Sequence, residues 1–361
     1  MITKADLLAL RAEWGLDAPV IEKDYVLGWL LAGIGNDPRL ASWVFKGGTC
    51  LRKCYFETYR FSEDLDFTID GGPISPEQLV PIFREIREWV LDQSGIELQI
   101  DEGAFRVRQN LRGRATTQGS IAFRGPLAQP TPAKIKLDLT SDELLVELMA
   151  EKMRALVQRC RPRDLYDVVH TYRHAGLLGR HTEVADTLAR KCEFAAIAYP
   201  TIDAIREPGR LAELKQDWEA MLAHQLPQLP TVDAFLVQLD DVFAWLAGDL
   251  AVAVLPPAPL EQGETVVGAR RSIVAWRETR PVELIRFAGA NRLKIAIDYH
   301  PQRGRIGWRT VEPYSLRRSQ SGVLSVFVLN DRGALRRYRI DRIRAVEVTR
   351  ESFEPRFRIE F

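Results

Sequence analysis

Apolar and polar residues alternate with two different periods along this chain, and the change of period marks its elements. The apolar pair Val44-Phe45 runs into Lys46-Gly47-Gly48-Thr49, and the next segment carries Cys50, Leu51 and Cys54 at helical spacing. A strand, a glycine turn and a helix are expected there. Phe61-Ser62-Glu63-Asp64-Leu65-Asp66-Phe67 alternates with period two, which predicts a strand with Asp64 and Asp66 on one face. Ala133 to Thr140 alternates in the same way, with Lys134, Lys136 and Asp138 on one face and Ile135, Leu137 and Leu139 on the other. Helical periodicity follows: Ser141-Asp142-Glu143 is a helix start, and Leu144, Leu145, Leu148, Met149, Met153 and Leu156 form the apolar stripe of a helix carrying Glu147 and Lys152. Pro162 ends it and opens another helix at Pro162-Arg163-Asp164-Leu165.

Two further regions follow. From Thr201 to Asp249, Leu211, Leu214, Trp218 and Leu222, then Phe235, Leu236, Leu239, Val242, Phe243 and Leu246, keep helical spacing and predict a helical subdomain. Leu255 to Glu264 is rich in proline, lacks periodicity and has the composition of a linker. Ala269 to Trp276 is expected to be helical. Short alternating strands are expected at Val282–Phe287, Leu293–Tyr299, Val311–Leu316, Leu324–Leu329 and Leu335–Ile340, in the spacing of a small barrel.

The alternation places chemistry. Side-by-side carboxylates repel unless a cation or proton separates them, and Asp64 and Asp66 on one face form a divalent-cation site of the kind Mg²⁺ prefers. The amides after the Gly-Gly turn suit phosphate oxygens. Asp138, from another strand, could complete a two-metal site for phosphoryl or nucleotidyl transfer, with Lys136 as the cation near a triphosphate. Each half has a plainer reading, an ordinary turn and a solvated strand face.

These blocks resemble the AbiEii-type nucleotidyltransferase toxins of the polymerase-beta-like superfamily. The likeness rests on Ile21-Glu22-Lys23-Asp24-Tyr25, Phe45-Lys46-Gly47-Gly48-Thr49, Arg60-Phe61-Ser62-Glu63-Asp64-Leu65-Asp66, Lys136-Leu137-Asp138, Glu147 with Lys152, and Arg163-Asp164-Leu165-Tyr166-Asp167. It covers roughly the first 200 residues and implies a mixed-sheet nucleotidyltransferase core over residues 1–200; the periodicity and composition above then predict an α+β chain with a helical extension over 201–254, a linker over 255–265 and a small β-barrel over 266–361. Also implied is transfer of a nucleoside monophosphate from a nucleoside triphosphate to an acceptor, often the 3′ end of tRNA, with a cognate antitoxin. On this reading Asp64 and Asp66 hold Mg²⁺, with two ions expected, and Asp138 joins the second metal or polarises the acceptor hydroxyl. Lys46, Gly47, Gly48, Thr49, Ser62, Lys136 and Lys152 bind the nucleotide. Lys152 contacts the triphosphate and Asp167 orients it or the lysine; a structural ion pair between packed helices is the alternative.

Composition adjusts this picture at three points. Of 361 residues, 46% are hydrophobic and 27% charged, ordinary for a soluble protein of two or three domains. With no basic apolar leader and no long uncharged apolar run, neither secretion nor membrane spanning is expected, and a cytoplasmic protein is. Cys50, Cys54, Cys160 and Cys192 lack zinc or disulfide spacing, and His170 and His174 read as a surface pair.

The net charge of +1 hides a division: residues 266–361 carry 21 Lys and Arg against 10 Asp and Glu, whereas the rest carries 29 against 39. This basic tail resembles a WYL domain through Val311-Glu312-Pro313-Tyr314-Ser315-Leu316 and Arg339-Ile340-Asp341-Arg342-Ile343, although Ser325-Val326-Phe327 stands where the naming tripeptide is expected. Arg309, Arg317, Arg318, Arg336, Arg337, Arg339 and Arg342 are its candidate contacts to RNA or an anionic ligand, since guanidinium groups grip phosphate and stack on bases.

Overall fold

The computed structural model describes residues 2–55, 60–69, 72–109, 115–141, 148–173, 180–248, 255–267 and 280–361. The expected helix start over 142–147, including Glu147, the expected helix over 269–276 and His174 lie outside the described residues. The chain divides into two compact units, Met1–Leu148 and the described chain from Met149 onward. That boundary differs from the expected one near residue 200.

The first unit opens with α1 (Lys4–Trp14), capped by Thr3 in a reciprocal box with Asp6, and α2 (Ala18–Asn36). Its sheet comprises β1 (Trp43–Lys46), β2 (Asp64–Ile69), β3 (Glu97–Gln99), β4 (Phe105–Gln109), β5 (Ala115–Arg124) and β6 (Ala133–Ser141). The spatial order is β1-β2-β6-β5-β3, with β4 also on β5, and only β2 and β6 run parallel. One face is apolar: Leu65, Phe67, Ile121, Phe123, Ile135, Leu137 and Leu139 pack with Leu27, Leu30 and Ile34 of α2 and with Phe83 and Ile86 of α4 (Pro76–Ser94). Between β1 and β2 the chain makes the short helix α3 (Gly47–Cys50) and a π-turn over Leu51–Tyr55. β2 begins at Asp64, three residues later than the alternation suggested.

In the second unit α5 (Leu148–Arg159) and α6 (Pro162–Tyr172) meet at Pro162, which starts α6 as expected. α7 (His181–Ala195), α8 (Ile202–Arg206), α9 (Pro208–Leu222), α10 (Val232–Leu236) and α11 (Leu239–Ala247) follow, so the predicted helical region is present. Val282–Phe287, expected as a strand, lies instead in α12 (Arg280–Ala290). Its buried residues Val282, Ile285 and Ala288 recur every three residues, a helical stripe that the Val-Glu-Leu-Ile-Arg-Phe run disguises as alternation.

The second sheet contains β7 (Thr265–Val266), β8 (Leu293–Tyr299), β9 (Gly307–Arg318), β10 (Leu324–Asn330), β11 (Leu335–Arg339) and β12 (Ile343–Ser352). It runs β11-β10-β9-β8-β12, with β7 on β9. Among the described residues β11 and β12 do not pair, so this sheet is open where the expected barrel would close. The expected linker is not free either. Ala258 is buried with Tyr314, Phe327, Leu329 and Phe353, and the Pro256 carbonyl accepts from the Arg358 amide at 2.9 Å.

Candidate active site

Strand register builds the site. Lys46 pairs with Asp66, Asp66 with Asp138, Asp138 with Gln118, and Gln118 with Arg106, so five side chains from five adjacent strands form one cross-strand row on the face opposite the apolar core. Asp64, Lys136 and Ser120 form the next row. The Gln118 side-chain amide donates to Asp138 Oδ1 at 2.8 Å, and Lys46 Nζ donates to Thr140 Oγ1 at 2.9 Å. Burial pushes the Asp64 carboxyl above its ordinary range; Lys23 and Lys136 pull it back, while Glu63 and Asp138 add to the rise.

The glycine turn is fitted to this row. Gly47 has φ +79°, and a Cβ built on it would lie 2.0 Å from Asp66 Oδ2. The Asp66 carboxylate therefore occupies the space that any other residue would fill. A Cβ on Gly48 would meet Ser62 Oγ at 3.0 Å and the Arg60 guanidinium at 3.1 Å, which places Ser62 against the turn. Thr49, expected as a triphosphate contact, is buried and donates its hydroxyl to the Asp64 carbonyl at 2.5 Å. Its side chain ties the helix to the carboxylate strand and is spent on that bond.

Behind the turn, the Ile21–Tyr25 block anchors it. Asp24 is buried between Lys53 Nζ at 2.6 Å and Arg52 Nε at 3.1 Å; those cations hold its carboxyl below the usual range although burial pushes it up. Glu22 accepts the Leu127 amide at 2.7 Å, and Lys23 pairs with Glu63 at 3.0 Å.

Among the described residues no group of three or more His, Cys, Asp and Glu side chains converges where a metal would sit. Asp138, in register with Asp66, accepts from Gln118 through Oδ1. Asp64 and Asp66 remain as a pair of hard-oxygen donors, which meets what Mg²⁺ requires when substrate phosphates supply its other ligands.

The second unit holds the other two expected catalytic residues together. Lys152 Nζ and Asp167 Oδ2 are 2.8 Å apart and both side chains are buried. α6 carries two more anchors: Asp164 receives Arg159 at 2.6 and 2.8 Å, and the Tyr166 hydroxyl donates to Asn291 Oδ1 at 2.7 Å. Nearby, burial opposes ionisation of Glu151, but Arg154 and Lys191 outweigh it and hold this carboxyl down at about 2.

Of the candidate arginines in the tail, Arg317 is a correction. It is 1% exposed, lies 3.6 Å over the Phe327 ring and donates to Ser315 Oγ and to the Ala258 and Pro259 carbonyls, so it ties the proline segment to the sheet and cannot touch RNA. Arg337 pairs with Glu261 and, at 2.9 Å, with Glu264; Arg339 pairs with Asp341 at 2.6 Å. Arg309 sits 5.3 and 5.7 Å over the rings of Tyr299 and Tyr338. Arg318 and Arg336 donate to the nearby carbonyls of Gly322 and Leu335, and Arg342 donates to the Gln302 side chain, forty residues away in sequence.

The family model for the nucleotidyl transferase AbiEii toxin of type IV toxin-antitoxin systems matches residues 29–240, more than half of the 361. The chain belongs to the AbiEii family. A WYL-domain model matches residues 281–348, and no curated protein compared with the chain matches it. Membership makes the protein a nucleotidyltransferase toxin and implies a cognate antitoxin. Among the described residues no helix is long and apolar enough to cross a membrane.

The AbiEii core also contains site residues that the sequence reading passed over. Gln118, Ser120, Arg106 and Arg108 lie on the carboxylate face, and with Asp64, Lys134, Lys136 and Asp138 they line a cavity of about 830 Å³. The alternation in Phe105-Arg106-Val107-Arg108 was the available signal.

Proposed function

We propose that this AbiEii-family toxin is a Mg²⁺-dependent enzyme that transfers a nucleoside monophosphate from a nucleoside triphosphate to RNA, with the tRNA 3′ end as acceptor, and thereby stops translation. The observation that carries the reading is the cross-strand row in which Asp66 and Asp138 stand side by side on parallel strands, beside Asp64 and against the glycine turn. When bound, Mg²⁺ would supply charge neutralisation at the phosphates. Asp64 and Asp66 hold it. The backbone amides of the Gly47-Gly48 turn receive triphosphate oxygens, with Lys46, Ser62 and Lys136 around them.

Asp138, oriented by Gln118, accepts the proton of the acceptor hydroxyl as its oxygen attacks the α-phosphorus in line and pyrophosphate departs. Lys152, positioned by Asp167, serves the triphosphate. The WYL-like sheet senses a ligand or RNA, through Arg309, Arg318, Arg336 and Arg342 rather than through buried Arg317.

The test is incubation with each nucleoside triphosphate labelled at the α-phosphate, Mg²⁺ and total cellular RNA, followed by separation of RNA, protein and small molecules. Label in small RNA supports the reading. Label only in protein or in a small molecule overturns the acceptor assignment.

A further inference from the structure

The cavity beside the carboxylates has a shape that nucleotide binding alone does not explain. Its walls are two strands that both carry cations, Lys134 and Lys136 on β6, and Arg106 and Arg108 on β4. Between them β5 presents Ser120 and Ala122 beside Lys136 and Lys134, and Gln118 and Thr116 beside Arg106 and Arg108, so a trough with cations on both walls runs along the sheet. The two walls are two strand spacings apart, about 10 Å. That width admits one strand of nucleic acid and not a paired helix.

All four cations are exposed, and none lies in an ion pair among the described residues. Acidic groups stand beside the middle rows, Asp64 in the row of Lys136 and Asp138 in the row of Arg106, and Asp101 also lines the cavity. In register, Lys134 stands opposite Ala122, Lys136 opposite Ser120, and Arg106 shares the Asp138 row through Gln118, while Arg108 lies one row beyond, opposite Thr116. Six residues along β6 cover these rows, about 20 Å at about 3.3 Å per residue. That length is room for several consecutive phosphates of one strand, set along the rows rather than gathered at the glycine turn.

We propose that this trough holds the phosphodiester backbone of the acceptor RNA's single-stranded 3′ end, with Arg106, Arg108 and Lys134 on its phosphates, Lys136 between them and the triphosphate, and its terminal hydroxyl at Asp138. The inference rests on the RNA-acceptor reading and moves the main RNA platform from the basic tail to the core sheet. Arg106 and Arg108 grip phosphate bidentately, and Lys134 and Lys136 act as point charges.

The test uses the full-length chain and a fluorescent short single-stranded RNA with a free 3′-hydroxyl, with anisotropy read from about 50 to about 200 mM salt. For the combined variant Arg106→Ala, Arg108→Ala and Lys134→Ala, three lost contacts at about 0.7 each lower the slope of log affinity against log salt by about 2, and affinity at about 0.1 M salt falls about 100-fold. Affinity for a fluorescent nucleoside triphosphate stays unchanged, as does the melting temperature. Ser120→Trp fills the floor without altering charge and weakens RNA binding while sparing the nucleotide.

An unchanged slope overturns the proposal, as does a loss of nucleotide affinity with RNA affinity intact, which would assign these cations to the triphosphate. Label transfer by the wild-type protein is scored separately. RNA that binds in the trough without being labelled sinks the reaction and leaves the trough, whereas labelling and binding of RNA undiminished in the triple variant sink the trough and leave the reaction.

Discussion

Gly47→Ala isolates the fit between the glycine turn and the carboxylate row. Its added Cβ would stand 2.0 Å from Asp66 Oδ2 and 2.9 Å from Asp66 Cγ, so the carboxylate must retreat by about 1.4 Å to reach ordinary contact at 3.4 Å. Asp66 has a short side chain on a central strand, and its retreat moves a metal ligand. A misplacement of about 1 Å costs on the order of 10²-fold in rate, or about 2.7 kcal/mol of transition-state stabilisation. The positive φ of 79° adds about 1–2 kcal/mol of conformational strain to the folded state.

A suitable comparison is Gly35→Ala in α2, where an added Cβ meets nothing within 4 Å. That variant should melt at or above the wild-type temperature with full activity, since alanine loses less entropy than glycine in a helix. Label incorporation under single-turnover conditions, with thermal melting beside it, reads both effects. If Gly47→Ala transfers within about tenfold of wild type, the turn does not position Asp66 for catalysis and the reasoning fails.

Other outcomes follow from burial and charge. Asp64→Asn should abolish transfer and raise the melting temperature: with its pKa raised by burial, ionised Asp64 opposes folding at neutral pH and the opposition fades as pH falls through that pKa; a lower melting temperature would contradict this. Lys152→Met removes the cation 2.8 Å from buried Asp167 and should cost up to about 3–5 kcal/mol in denaturant unfolding, more than any surface variant; a loss under about 1 kcal/mol would show that the pair is not buried in solution. A chain ending at Leu255 removes Asn291 from Tyr166 and splits the second unit, so it should not melt cooperatively; a sharp transition would restore the expected independent tail.

Much of the core was legible because period-two alternation survives in single strands. β2 and β6 carry Asp64, Asp66 and Asp138 on the face that the pattern assigned. Their pairing was not legible, since a parallel partnership across some seventy residues leaves no local trace, and neither were β4 and β5 between them. Arg106 and Arg108 were missed for that reason. In the tail the net positive charge of 266–361 was read correctly and its use was not: Arg317 is consumed by the proline segment, and Arg337 and Arg339 by carboxylates close in sequence or docked from residues 261–264. Composition counts charges and cannot show which of them are already paired. α12 was mistaken for a strand because Glu283 and Arg286 interrupt an apolar run at spacings that fit either period.

The central claim is that the Asp64–Asp66 pair drives transfer of a nucleoside monophosphate to RNA. Parallel reactions with triphosphate labelled at the α- or at the γ-phosphate, each with wild type and Asp66→Asn, test it most directly. Expected are α-label in RNA, γ-label only in pyrophosphate, and no α-label in RNA with Asp66→Asn despite a wild-type melting temperature. γ-Label in the acceptor, or α-label incorporated by Asp66→Asn at the wild-type rate, would contradict it.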